Sequence, residues 1–299
     1  MVAPIITAAD RASFRPSAAA PELDHPILDR AVRDALAIYY YPGMWDWGRD
    51  VRLPLVIQEL DRSVARQGAG GADAAQIRRD GRALLERYLL WAPPVDRFAP
   101  IMVETDFEVP VPDPGRPAFG LVTPEGAAVR YGDRVDLLAA DEHDAYWIVH
   151  HRLVRGEWVQ TADLAADEAA LAACWAWEQF YLGTTITGTI WNELRVQPAE
   201  PADPAGGPPG GRRRGWPWPR RVTTSDAGPV VRQHEPSGGG RSVSQHRRWQ
   251  ARVTEPARAA PVEQCLGPGF RRTWLRRSRD EVAAAGQRLA VDAAAMIQD

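Results

Sequence analysis

The sequence predicts an α/β protein with a mixed central sheet of about four or five strands flanked by helices. Three observations predict it. Three segments of helical periodicity precede every convincing strand. Strand-like segments then follow one another across a tight polar turn. After them a helical segment leads straight into a β-branched run, the pattern of a crossover that returns a strand parallel to the sheet.

Residues 24–41 read as the first helix. Ile27, Val32, Leu36 and Tyr40 recur at helical spacing, Asp24 or Asp29 stands near its start, and Pro42-Gly43 stops it. Trp45 and Trp47 are expected to seat the following turn on the core. A second helix is expected over 51–66, a loop at Gly68–Gly71, and a third helix over 73–91 with Ile77, Leu84, Leu85 and Tyr88 mostly on one side. The run 101–109, bounded by Pro100 and Pro110, reads as the first strand, and a Pro/Gly turn region follows it. Arg130–Leu138 and Tyr146–Val154 read as an antiparallel pair joined by Asp141-Glu142-His143-Asp144.

A helix is then expected over 163–182, closed by Gly183, and a β-branched strand over 185–194. From 198 to about 240 Pro, Gly and Arg dominate, the composition of a disordered insertion. Order is expected to return at Phe270–Arg277. Ser278 and Glu281 form a capping box that opens a last helix. The expected division is a helical part over 1–99, an α/β core over 100–197, the Arg/Pro/Gly-rich insertion over 198–245, and a C-terminal segment over 246–299 whose helix packs on the core.

All 36 basic residues are arginine. Without lysine, P-loop phosphate binding, Schiff-base chemistry and lysine general bases fall away, because each needs an amine that guanidinium cannot imitate. The two cysteines, Cys174 and Cys265, are too few for a four-cysteine zinc or iron-sulfur site or a disulfide framework, which fits a reducing, cytoplasmic setting. No apolar run approaches a membrane span, and Val2–Ile6 has no basic region before it, so neither a membrane partner nor an export signal is expected. The net charge of −3 conceals a segregation: residues 198–279 carry sixteen Arg against six Asp or Glu. Clustered arginine suits phosphate backbones; a solvated tract offsetting an acidic domain is the alternative.

Four features carry a resemblance. They are Val103-Glu104 on the first strand, Gly132-Asp133-Arg134-Val135-Asp136 on the second, Trp147–Arg152 on the third, and the helix and strand ending in Ile190-Trp191-Asn192-Glu193-Leu194-Arg195. Over about residues 100–195 this pattern resembles the RecB-like branch of the PD-(D/E)XK nuclease superfamily, which implies a restriction-endonuclease-like core. In that family an Asp and an Asp/Glu on neighbouring strands hold Mg²⁺, and a Lys two residues later orients the attacking water. Carried over, Asp136 matches the first metal Asp, His150 stands where the second carboxylate belongs, and Arg152 where the Lys belongs. The family's N-terminal histidine would fall near Arg33 and its later glutamine near Glu168. Phe14-Arg15-Pro16-Ser17 lacks the cysteine of iron-sulfur-bearing members.

The resemblance therefore implies a degenerate metal centre in a DNA-associated protein, weakly active or inactive, with no cofactor if it is a pseudoenzyme. The alternatives are an active DNA exonuclease or endonuclease using Mg²⁺ or Mn²⁺, with Glu104, Asp136 and His150 as ligands and Arg152 steadying phosphorane charge, or a scaffold within a protein complex. His150 and Arg152 also have a plainer reading, as members of a hydrogen-bonded set neutralised by Asp136. Expected phosphate contacts are Arg212, Arg213, Arg214, Arg220, Arg221, Arg271, Arg272 and Arg276. Trp216 and Trp218, set among them, read either as base-stacking groups or as surface anchors.

Overall fold

The computed structural model describes residues 5–7, 26–68, 70–196, 263–267 and 269–297, with the backbone alone at 5–7 and 263–266. The insertion expected at 198–245 lies outside the described residues. So do Arg212, Arg213, Arg214, Trp216, Trp218, Arg220 and Arg221.

In chain order the elements are β1 (Ile5–Thr7), α1 (Pro26–Tyr39), α2 (Arg49–Arg66), α3 (Gly71–Trp91), β2 (Phe98–Pro110), β3 (Pro112–Asp113), β4 (Arg116–Gly120), β5 (Arg130–Asp141) and β6 (Tyr146–Val154). They continue with α4 (Thr161–Ala165), α5 (Glu168–Phe180), β7 (Ile186–Arg195), β8 (Glu263–Gly267), β9 (Phe270–Arg276) and α6 (Arg279–Met296). The fold is α/β, with a mixed sheet between two helical layers.

The sheet runs β1-β5-β6-β7-β9-β8, and β2 pairs along the other edge of β5. It has seven strands rather than four or five, because β1 and β8 extend it. The hairpin β3-β4 stands off the sheet where only turns were expected. β5 and β6 are antiparallel and β6 and β7 parallel, as the sequence predicts. The expected 163–182 helix is two helices: Asp167 stops the first and caps the second, its Oδ1 accepting from Ala170 N at 2.9 Å. The Ser278/Glu281 capping box forms as expected and opens α6.

One apolar core lies between α1–α3 and the sheet. It joins Val32 and Leu36, Leu60 and Leu84 to Leu137, Val149, Ile190 and Trp274. A second lies on the opposite face, where Ala173 and Trp177 of α5 and Val282 and Leu289 of α6 meet Phe107, Tyr131, Val135 and Ile148. Each fully buried aliphatic side chain contributes about 1.5–3 kcal/mol, so these two faces fix how the sheet is sandwiched. Trp45 packs against the first core as expected, but Trp47 is 44% exposed and anchors nothing there.

Candidate functional site

The sheet is interrupted where the sequence places its candidate residues. On one edge β5 pairs with β1 over 130–132 and with β6 over 137–140, which leaves residues 133–136 without a strand neighbour on that side among the described residues. On the other edge Val103 pairs with Leu137 and Thr105 with Val135, so Glu104 and Asp136 share a rung.

Alternation of side chains fails at that rung on both strands. Met102 and Phe107, five residues apart, pack on the α5–α6 face, as do Val135 and Leu138, three apart, whereas Val103 and Leu137 pack on the α1–α3 face. Glu104 makes the switch on β2 with a left-handed backbone, φ 46°, a conformation that costs a non-glycine residue about 1–3 kcal/mol. Both carboxylates thereby turn towards α1.

What meets them there is arginine. Arg30 Nη2 and Arg134 Nη1 each donate to Glu104 Oε2 at 3.0 Å, and Arg134 also grips Asp106 with two bonds of 2.7 and 2.9 Å. Arg33 lies 2.9 Å from Asp29 and 3.8 Å from Asp136. Asp136 Oδ2 accepts the backbone N–H of His151 at 2.8 Å, and Asp29 Oδ1 that of Leu153 at 3.4 Å. The two acids thus take over backbone groups left open where β5 and β6 separate. Burial pushes the Asp136 and Glu104 carboxyls above their ordinary values, and the neighbouring arginines pull back against it. Burial works against the Arg33 charge, yet Asp136, Asp29 and Glu104 together hold its pKa above the ordinary guanidinium value.

His150 and Arg152 do not join this group. His151 and Leu153 face α1, and alternation turns His150 and Arg152 to the other face of β6. There the His150 ring stacks on Trp191 at 4.7 Å, its Nε2 is sealed off without a partner, and burial pushes its pKa down to about 4. The expected metal trio of Glu104, Asp136 and His150 is therefore not assembled, because one ligand lies across the sheet from the other two. Among the described residues no three His, Cys, Asp or Glu side chains converge to hold a metal ion. The donor set does not fit Mg²⁺ or Mn²⁺: two carboxylates engaged by guanidinium groups leave a hard cation no cluster of oxygen ligands. Arg152 lies away from Asp136, and its electrostatic partner is Glu193.

Two of the expected phosphate contacts are corrected. Arg272 is fully buried: it pairs with Asp96 and donates to Tyr40 and Tyr88 at 3.0 Å and to Asn192 at 3.4 Å, with Trp91 and Phe98 each 5.1 Å from its guanidinium. Asn192 Nδ2 in turn donates to Tyr88 at 2.7 Å and lies 3.0 Å from His151 Nδ1. His151 is thereby a satisfied core histidine. Arg271 is also buried and pairs with Glu193. Neither guanidinium can reach a phosphate, since each is consumed by a partner inside the fold. Arg276 remains exposed, over the Trp147 ring.

The residues missed by sequence reasoning are Arg30, Asp29 and Arg134. A signal for α1 existed: Asp29-Arg30, Arg33-Asp34 places alternating charges on one helical face beside an apolar stripe.

No family model matches the sequence, and no curated protein matches it. Eleven chains of solved structures match. One is the crystal structure of SSO0001, 11% identical, with a TM-score of 0.24; the alignment covers 56% of this chain and 61% of that one. Among the described residues no helix is long and apolar enough to cross a membrane.

Proposed function

We propose that this chain is a PD-(D/E)XK nuclease-like protein with a degenerate metal centre, associated with DNA and inactive as a phosphodiesterase. One observation carries the reading: Asp136, which matches the family's first metal Asp, shares a rung with Glu104, and the two carboxylates are neutralised by Arg30, Arg33 and Arg134, while His150, at the second carboxylate's position, faces the other side of the sheet. Guanidinium groups supply the positive charge that a divalent ion supplies in an active centre. They cannot lower the pKa of a bound water as a metal does, nor act as a base near neutral pH. The arginine excess over residues 198–279 supports DNA as the partner, now without Arg271 and Arg272.

The test is cleavage of linear double- and single-stranded DNA with Mg²⁺ or Mn²⁺ by the natural protein and by Asp136→Ala. Neither is expected to cut. Cleavage that disappears in Asp136→Ala overturns the degenerate reading. Binding of the same DNA is expected to weaken steeply with salt, and an affinity independent of salt would favour a scaffold that does not use nucleic acid.

A further inference from the structure

The parallel strands β6 and β7 end side by side at Val154 and Arg195. On the face away from α1, Arg152 pairs in register with Glu193, and Glu193 with Arg271, so three charged residues form one row across three strands. Arg195 stands two residues beyond Glu193 on the same face. The lateral and axial spacings of a sheet put its Cα about 8 Å from that of Arg152.

The charges in this group do not balance. Glu193 is fully buried and already engaged, accepting from Arg271 and, at 3.3 Å, from the backbone of Val159. Arg152 and Arg195, both half-buried, make no ion pair with any described residue. Glu157 and Asp163, the acids that follow β6 in the chain, pair with neither. The Arg195 guanidinium lies over the Trp158 ring, 4.0 Å from its centroid, and its Nε is sealed without an acceptor among the described residues. Arg271 lies 5.4 Å from the same ring. The single Glu193 thus faces three guanidinium groups, Arg271 paired with it, Arg152 in register with it and Arg195 held over Trp158, and leaves an excess of positive charge at the carboxyl ends of adjacent parallel strands. That is where open α/β sheets bind ligands. Planar forks of N–H donors match the oxygen geometry of phosphate.

We propose that Arg152 and Arg195 form a phosphate-binding site, filled by a backbone phosphodiester of nucleic acid. The phosphate chemistry stands on these residues alone, while the choice of nucleic acid rests on the reading above. Arg152 then has a binding role on the face opposite Asp136 rather than a catalytic one beside it.

The experiment uses the full chain. Affinity for a fluorescent single-stranded oligonucleotide is measured from about 50 to 200 mM salt for the natural protein, Arg152→Gln, Arg195→Gln, Arg195→Lys and the remote control Arg116→Gln. Calorimetric titration with inorganic pyrophosphate runs alongside. Each Gln variant is expected to lower the salt slope by about one and weaken binding by about tenfold, with Arg116→Gln unchanged and Arg195→Lys, which keeps the charge, restoring the slope. Tight, salt-dependent binding by every variant overturns the site and leaves the DNA-associated reading standing. Pyrophosphate binding lost in the Gln variants, with no oligonucleotide bound by any protein, assigns the site to free phosphate and overturns its nucleic-acid occupant. Absence of both kinds of binding overturns the site and the function together.

Discussion

Replacing Arg272 with Met tests the buried network most sharply. The guanidinium has no solvent exposure, and its removal deprives Asp96, itself sealed, of the one cation paired with it among the described residues. Removing one side of a buried ion pair costs about 3–5 kcal/mol. Two hydroxyl donors remain on Asp96, Tyr40 at 3.1 Å and Tyr39 at 3.4 Å, so the lower part of that range, about 3 kcal/mol at pH 7, is expected. Burial already raises the Asp96 carboxyl above its ordinary value, and loss of Arg272 raises it further. A folded-state pKa above the unfolded one makes the defect full at high pH and smaller as pH falls through the folded value. Each unit of that window is worth about 1.4 kcal/mol. Urea unfolding at pH 7 and pH 5.5 should therefore show a smaller defect at the lower pH. The double variant Arg272→Met/Asp96→Leu, which buries no charge, should recover at least about 2 kcal/mol of the loss. A single-variant cost below about 1 kcal/mol, or a double variant no more stable than Arg272→Met, would refute the reasoning.

Gly188→Ala should destabilise by at least about 2 kcal/mol in the same urea assay, since a Cβ there would meet the backbone oxygen of Leu275 at 2.1 Å and the Trp147 ring at 2.8 Å. His150, pushed down to about 4 in the folded state against about 6.5 unfolded, excludes a proton that the unfolded chain accepts. Stability from this group is full above pH 6.5 and falls by up to about 3 kcal/mol towards pH 4, and His150→Gln should flatten that part of the profile. Ser278→Ala, which removes half of the capping box of α6, should cost about 1 kcal/mol, read from the shift in the urea midpoint.

Long periodic elements were legible in the sequence because burial repeats along them. The stripes of α1 and α3, the β5-β6 hairpin and the parallel return of β7 each follow from spacing. β1 was not, since three residues carry no period, and the hairpin β3-β4 is exposed throughout β4 and so shows no apolar alternation. The candidate site was half legible. Asp136 and Glu104 do share a rung, but placing His150 with them assumed unbroken alternation, and both strands change face at that rung. Nothing in a residue pattern announces a left-handed Glu104. Arg272 is different, because its burial was readable: Phe270, Arg272 and Trp274 fall two residues apart, so a strand puts Arg272 on the apolar face. Counting it within an arginine-rich tract hid that geometry.

The partners of the buried guanidinium also fix an order of assembly. Asp96 precedes Arg272 by 176 residues, and Tyr40, Tyr88 and Asn192 all lie upstream of it as well. At synthesis rates of about 5–20 residues per second, about 10–35 seconds separate the appearance of the acid from that of its cation. During that interval α1–α3 can gather their apolar stripes but cannot seal Asp96 without leaving a lone charge in a dry interior. The N-terminal helical layer should accordingly stay loose on the ribosome and close only when β9 arrives, so that the last strand made licenses the packing of the first helices.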